Sequence, residues 1–257
     1  FYIDSHQDFH NSGTFWLSKF FQYKIFNRFL IRKVRRYVDK FLYLSYESRE
    51  FIVNMYGLND NELEFYPLGG NIVNINNKKI YSENIRKKHN FSYDDILIVH
   101  SGKLEKAKKT KELIEAFKSI KSENLRLLII GNIPNQEKDI LEPLIAADNR
   151  ILFLGWKSAD ELIQYLCAAD LYFQPGTQSA TMQNAICCGT PVALYPYKSH
   201  EPYVVGNGFF VTDVQSYINV FNIILSDNKI LIEMSNRSYS IAKDLLDYKI
   251  LASRLYY

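Results

Sequence analysis

"AADLYFQPGTQSATMQNAICCGTPVALYP", residues 168 to 196, is the stretch whose rhythm decides the fold. "AADLYF" at 168–173 is apolar and β-prone, "PVALYP" at 191–196 is apolar again, and a Pro-Gly turn between them opens a small, uncharged, helix-length segment. Strand, turn, short helix and strand form the unit in which a helix N-terminus faces a ligand across a sheet edge.

Working outward, the same alternation recurs on both sides. "DILIVHSG", "LRLLIIGN", "RILFLGW", "DLYFQPG", "PVALYP" and "GFFVTD" are short apolar runs, most of them separated by helix-length patterns. Ser158 with Glu161 makes a capping box ahead of "LIQYLCAAD". The pattern predicts an α/β fold: a parallel, Rossmann-like sheet with helices on both faces and ligands outside the carboxyl ends of its strands. From Val214 onward the chain reads as all helical. Nearer the start, "FYIDSH", "KFLYLS" and "LEFYPLGG" read as strands and "YESREFIVNMYG" as a helix ending on Gly57. "NIVNINNKK" is polar and turn-rich, as a linker would be. A chain that opens on Phe1 with a strand already leaving the core reads as lacking an upstream half-domain of roughly 100 residues.

Composition narrows the classes. The 257 residues are 47% hydrophobic and 15% aromatic, enough for a large core. No run of eighteen or more uncharged apolar residues occurs and no signal peptide opens the chain, so the reading is cytoplasmic, at most peripheral on the inner face of a membrane. Cys167, Cys187 and Cys188 lack CxxC spacing and read as reduced core residues. A net charge of +3 is too small to argue for nucleic acid. Its distribution is uneven, however: Lys19, Lys24, Arg28, Arg32, Lys33, Arg35, Arg36 and Lys40 face one acid, Asp39, over 19–40. Positions 24, 28, 32, 36 and 40 share one helical face, and Leu17, Phe21, Ile25 and Phe29 line another. Two readings follow: a solvated helix docked by its aromatic side, or contact of residues 15–40 with anionic lipid.

Taken together, these pieces resemble the GT-B glycosyltransferases, in particular the large retaining group labelled family 4. "HSGKLEKAKKTKELIEAF" is similar to that group's Gly-Arg-Leu, Lys and Leu-Ile-x-Ala-Phe signature. "RILFLGWKSADELIQYLCAADLYFQP" resembles its strand, glycine, capped helix and Ala-Asp strand; "NAICCGTPVALYPY" its Glu-Ala-x-x-x-Gly-x-Pro-Val segment; and "EPYVVGNGFFV" the glycine-bearing strand that follows. "YVDKFLYLSYESREFIVNMYG" and "EFYPLGG" resemble the end of the amino-terminal domain and its crossover. The resemblance implies a nucleotide-sugar-binding Rossmann-like domain over 85–240 and the end of an acceptor-binding domain over 1–70. It also implies a linker over 71–84 and a last helix, 241–257, packing back toward the amino-terminal domain. The expected activity is transfer of a sugar from a nucleotide-sugar donor to a glycan or lipid-linked acceptor, with no metal or other cofactor.

Site residues follow from the same match. After the strand "DILIVHSG", Gly102 permits close backbone approach, and Lys103 and Lys108 can neutralise phosphates, with Lys109 a neighbouring substitute. Lys103 stands where the family has Arg, keeping the charge without the bidentate fork. The family carries one Glu before the helix of the opening stretch and a second within it. Here Gly176 or Gln178 stands near the first and Asn184 at the second. Asn184 can bond ribose hydroxyls, while Thr177, Ser179, Ala180 and Thr181 offer hydroxyls and N–H groups to phosphate. Trp156 can flank the base. His6 matches the family's histidine that reaches the donor sugar, with His10 a less favoured substitute. Asp4, His6, Asp8 and His10 also alternate like metal ligands, a metallohydrolase alternative that only His89, His100 and His200 remain to complete. A third reading, encouraged by the missing acids, is a non-catalytic binding module on the same scaffold.

Overall fold

A computed structural model describes residues 1–9, 12, 15, 17 and 20–256, with the side chain of Val73 left aside. His10 and Lys19 lie outside the described residues. The chain divides into two compact units, Phe1–Leu68 with Leu251–Tyr257, and Gly69–Ile250.

The first unit holds a parallel three-stranded sheet, β1 (Tyr2–Ser5), β2 (Lys40–Tyr43) and β3 (Leu63–Phe65), in that order. Ile3 pairs with Phe41, and Phe41 with Leu63. Phe41, Ile52, Leu58 and Leu63 form its core, and Phe51 packs edge-on against Tyr23 and Tyr56. Residues 251–256 close on this unit: the Tyr66 hydroxyl donates to the Leu251 carbonyl at 2.7 Å, and Arg254 pairs with Glu64.

The basic segment departs from its expected form. Among residues 20–40, Arg28–Val34 (α1) is the regular α-helix; Phe20–Asn27 winds more widely as a π-helix, Arg35–Tyr37 tightens to 3₁₀, and Lys40 lies in β2. A four-residue ladder of charge needs a constant pitch, so the stack at 24, 28, 32, 36 and 40 does not form. Arg28 lies against Gly57, whose φ of +70° and missing Cβ make room for it. Arg35 pairs with Glu62, and Lys40 donates to the Asn61 carbonyl at 2.6 Å. Nor is the aromatic side docked: Phe21, Ile25 and Phe29 are exposed, and Tyr23 is the buried ring.

The second unit carries six parallel strands: β4 (Ile96–Lys103), β5 (Leu125–Asn132), β6 (Ile151–Phe153), β7 (Leu171–Gln174), β8 (Val192–Leu194) and β9 (Gly208–Phe210). These are the six apolar runs of the sequence. Their order is β6-β5-β4-β7-β8-β9. Side chains alternate across a strand, so Ile96 and Ile98 face one layer with Phe117 and Phe221, while Leu97 and Val99 are buried on the other. Burial on both faces is why the runs are continuously apolar. The helices are α2 (Tyr46–Phe51) in the first unit, then α3 (Lys78–His89), α4 (Thr110–Ser119), α5 (Asn135–Ala146), α6 (Ala159–Ala168), α7 (Thr181–Cys187), α8 (Val214–Ser226), α9 (Lys229–Ile241) and α10 (Tyr248–Ser253). On one face α4 packs with α8, on the other α3 with α6.

Residues 71–84 are not a linker. Ile72–Asn77 is a 3₁₀ turn running into α3, and both belong to the second unit. The asparagines that read as turn chemistry start a helix, and Lys78 is drawn inward to donate to the Cys188 and Gly189 carbonyls at 3.3 and 3.2 Å. Among the described residues no helix is long and apolar enough to cross a membrane.

Candidate functional site

The strand order reverses direction between β4 and β7, so the connections leave on opposite sides there, which in open α/β sheets is where a ligand crevice is expected. Two loops meet there: 103–109, leaving β4, and 175–180, leaving β7.

Glycines bring them together. A Cβ on Gly131 of β5 would fall 1.8 Å from the Gly102 carbonyl, so the ends of β4 and β5 lie flush only because residue 131 is glycine; Gly102 is set apart by its φ of +136°, with the Lys108 side chain 3.4 Å from where its Cβ would be. A Cβ on Gly176 would fall 2.2 Å from the Ala107 carbonyl. That close approach lets the Thr177 N–H donate to Ala107 at 3.1 Å. The Lys108 ammonium then donates to the Thr177 carbonyl at 3.0 Å and the Gln178 carbonyl at 3.2 Å. Burial pushes the Lys108 pKa down, partly offset by Glu105. The group is a partly desolvated cation lying between the two loops, where an anion would gain most from it.

A polar chain underlies this contact. Gln174, the last residue of β7, donates to the Thr177 carbonyl at 2.7 Å and accepts from the Tyr172 hydroxyl at 3.0 Å. Tyr172 also meets the Ser101 hydroxyl of β4 at 3.2 Å. Burial pushes the Tyr172 pKa up to about 12, so the phenol stays protonated and donates to Gln174. Beneath it His100 is wholly buried, its Nδ1 2.8 Å from the Phe173 carbonyl and its Nε2 2.9 Å from the Thr110 hydroxyl. A carbonyl only accepts, so Nδ1 carries the proton and Nε2 accepts from Thr110. Burial holds the imidazole pKa down at about 4 and keeps it neutral.

The structure thus gathers Gly102, Lys108, Gly176, Thr177 and Gln178 at one place. Lys103 is exposed on the same loop, 2.5 Å from Glu105, and Lys109, at a left-handed φ of 59°, pairs with Glu112 at 3.3 Å. Ser179 accepts from the Thr181 N–H and donates to the Thr181 hydroxyl, both at 3.2 Å, so its hydroxyl satisfies one N–H at the start of α7, where the N-cap residue Ala180 has no side-chain bond. Ala180 is exposed; Asn184 is half-buried in the last turns of α7. Trp156 is 74% exposed beyond the carboxyl end of β6, two strands away from β4.

In the first unit, His6 Nε2 lies 2.9 Å from Asp4 Oδ2. β1 stops at Ser5, so the alternation Asp4, His6, Asp8 does not continue along one strand face. Among the described residues no three His, Cys, Asp or Glu groups converge to hold a metal ion. His89 meets the Tyr165 hydroxyl at 3.0 Å and His200 the Tyr195 carbonyl at 2.7 Å.

Sequence reasoning passed over Gly131, Tyr172 and Gln174. A glutamine closing an otherwise apolar strand, with a tyrosine two residues earlier on the same face, was the available signal. Tyr195 and Tyr197, with ring centroids 4.8 Å apart beyond β8, were also missed.

Among curated proteins, none matches this sequence. Solved structures do. The HepE protein of Anabaena, solved with UDP and glucose, is similar at TM-score 0.77 and 18% identity, over 99% of this chain and 69% of that one. A glycosyltransferase of Rickettsia africae is similar at TM-score 0.77 and 13% identity, over 98% and 68%. WaaG, a glycosyltransferase of lipopolysaccharide biosynthesis, gives TM-score 0.65 and 19% identity, over 92% and 70%. The likeness shows the GT-B fold. The family model described as glycosyl transferases group 1 matches residues 82–241, well over half of the sequence, and the chain belongs to that family.

Proposed function

We propose that this chain is the donor-binding part of an enzyme that moves a sugar from a nucleoside diphosphate sugar to an acceptor. The observation that carries the reading is the Lys108 ammonium, partly buried between the loops of β4 and β7 at the sheet's switch point. A diphosphate entering there meets a preformed cation and, with Lys103, a second charge able to follow it. HepE, of the same fold, was solved with UDP and glucose. Charge developing on the departing diphosphate is taken up by these lysines, and the chemistry needs no metal. Asn184 takes the ribose, and His6 is the residue assigned to the donor sugar. Retention of configuration follows the family resemblance to the retaining group.

The acceptor we infer is a glycan or a lipid-linked glycan of a bacterial surface polysaccharide, handled at the cytoplasmic face of a membrane. Residues 15–40 support the membrane part of this reading. Phe20, Phe21, Phe26 and Phe29 are exposed, and Lys33 and Lys24 lie 4.5 and 5.9 Å from the Phe29 and Phe20 ring centroids. Interleaved rings and cations suit an anionic headgroup layer.

The test is thermal stabilisation by UDP, GDP, ADP and CMP, each with and without EDTA. Saturation at about 100 times the dissociation constant contributes roughly 2.7 kcal/mol, a plain shift in Tm. Selective, EDTA-insensitive stabilisation by one nucleotide supports the reading. Absence of any response favours the non-catalytic module, and a response abolished by EDTA removes the metal-free mechanism.

A further inference from the structure

The amino-terminal edge of the same six-stranded sheet, opposite the Lys108 crevice, carries a cavity of about 590 Å³. It is within the roughly 300–1,000 Å³ usual for small-ligand sites. Its walls are the turns entering β4, β5 and β7 and one side of α9. Tyr93, Asp94, Asn124, Asn228, Ile232 and Asn236 define its chemistry.

Apart from Asp94, the charges of this cavity are settled internally. Asp170 pairs with Arg86 at 3.0 Å and accepts from the Leu97 N–H at 2.8 Å, and Asp95 pairs with Arg126 at 3.2 Å. Lys78 points its ammonium at the Cys188 and Gly189 carbonyls and the Thr190 hydroxyl. Among the described residues lining it, no cation is left to attract a phosphate. No three carboxylates converge among the described residues to take a metal ion. What remains are the side-chain amides of Asn124, Asn228 and Asn236, none of them hydrogen-bonded within the described residues, and the carboxylate of Asp94. Each amide both donates and accepts. Flanking them, Tyr93 is 78% exposed and Ile232 64% exposed, which sets flat apolar surface beside the amides.

An uncharged ligand with many hydroxyls and apolar C–H faces answers all of this at once, because amides and a carboxylate pair with hydroxyls while a ring or aliphatic side chain covers the C–H face. We propose that this cavity is a second carbohydrate site, which holds a neutral oligosaccharide remote from the donor crevice. The choice of an oligosaccharide over other polyols rests on the sugar-transfer reading. Such a site keeps a glycan product or acceptor on the enzyme between encounters and raises its effective concentration.

The experiment is saturation-transfer NMR on the whole chain with trisaccharides of glucose, galactose, mannose and N-acetylglucosamine, each with and without saturating UDP. At least one trisaccharide is expected to give a signal that UDP leaves unchanged and that falls about tenfold or more in affinity in Asn228→Ala/Asn236→Ala. Tyr93→Ala is expected to weaken the same signal. Unchanged Tm and unchanged UDP stabilisation of both variants show that the fold and the donor crevice are intact. A signal displaced by UDP, a signal that survives both variants, or no signal from any trisaccharide overturns the proposal. Failure of the sugar-transfer reading shows separately, as absence of nucleotide stabilisation in the wild-type chain.

Discussion

Lys108 concentrates the chemistry of the site in one side chain. Its ammonium bonds two carbonyls of the neighbouring loop and is held partly out of water, so under the proposed function it would serve the loop contact and the anion together. A charge-assisted bond of this kind contributes about 1.5–3 kcal/mol. Lys108→Ala is therefore expected to weaken nucleotide binding roughly 10- to 100-fold in calorimetry, and Asn184→Ala, with one neutral bond to ribose at stake, no more than about tenfold. Equal affinity in Lys108→Ala and wild type would remove the crevice from the donor site. His100 acts through pH instead. Its folded pKa of about 4 lies below the ordinary 6.5, so on acidification the unfolded chain takes up the proton first. Its contribution is whole above pH 6.5 and is withdrawn as pH falls toward 4, on the order of 2–3 kcal/mol. Urea titrations at pH 7 and pH 4.5 should show a larger loss for wild type than for His100→Gln, whose amide bonds both neighbours without titrating. Equal losses would mean that another group governs the acid limb.

At the level of elements, the contact between the β4 and β7 loops depends on what the strands end with. Gly176 is needed because the Ala107 carbonyl occupies the place of a Cβ. Gly176→Ala must push the loops apart, and about 1–3 kcal/mol of stability is expected to be lost with a larger proportional loss of nucleotide affinity. A Tm fall without an affinity change would show that the loops meet for stability alone. Tyr172→Phe leaves the ring in place and takes the donor from Gln174, at an expected cost of about 1 kcal/mol with nucleotide affinity reduced and the sheet intact. All six strands were legible, because burial on both faces forces continuous apolar runs. The capping box of Ser158 and Glu161 was legible too, and its bonds form at 3.3 and 3.1 Å. The helical start at 72–77 was not, because asparagines favour turns locally and the groups that hold this segment, Cys167 at the Asn74 carbonyl and the 188–189 carbonyls at Lys78, lie far along the sequence. The evenly wound basic helix failed for the opposite reason. Its four-residue spacing was real, but partners such as Glu62 for Arg35 lie far along the sequence, where periodicity cannot report them. Within the site, Gly102, Gly176 and Lys108 could be named from the loops they stand in, whereas Gly131 and the Tyr172–Gln174 relay depend on how neighbouring strands and two loops close.

For the whole molecule, net charge conceals the property that matters. Thirty-one basic residues nearly cancel twenty-eight acidic ones, yet Lys24, Arg32, Lys33 and Arg36 stand exposed together among exposed Phe20, Phe21, Phe26, Phe29 and Leu30. Membrane attraction depends on local charge, since the potential of an anionic surface falls away within about 10 Å at 0.1 M salt. Each cation at such a surface contributes about 1 kcal/mol, so reversing Arg32, Lys33 and Arg36 to Glu removes roughly 3 kcal/mol or more, a 100-fold loss in partitioning. Co-sedimentation is expected to show the chain on vesicles containing phosphatidylserine at low salt, released as salt is raised, and absent from pure phosphatidylcholine. The triple variant should remain in the supernatant while keeping the wild-type Tm and nucleotide response. Phe26→Ala with Phe29→Ala should weaken binding while leaving its salt dependence in place, because the rings contribute apolar area and not charge. Equal sedimentation with both lipids, or an indifferent triple variant, would mean that the exposed rings and cations serve some other surface and that the acceptor does not reach this enzyme on a membrane.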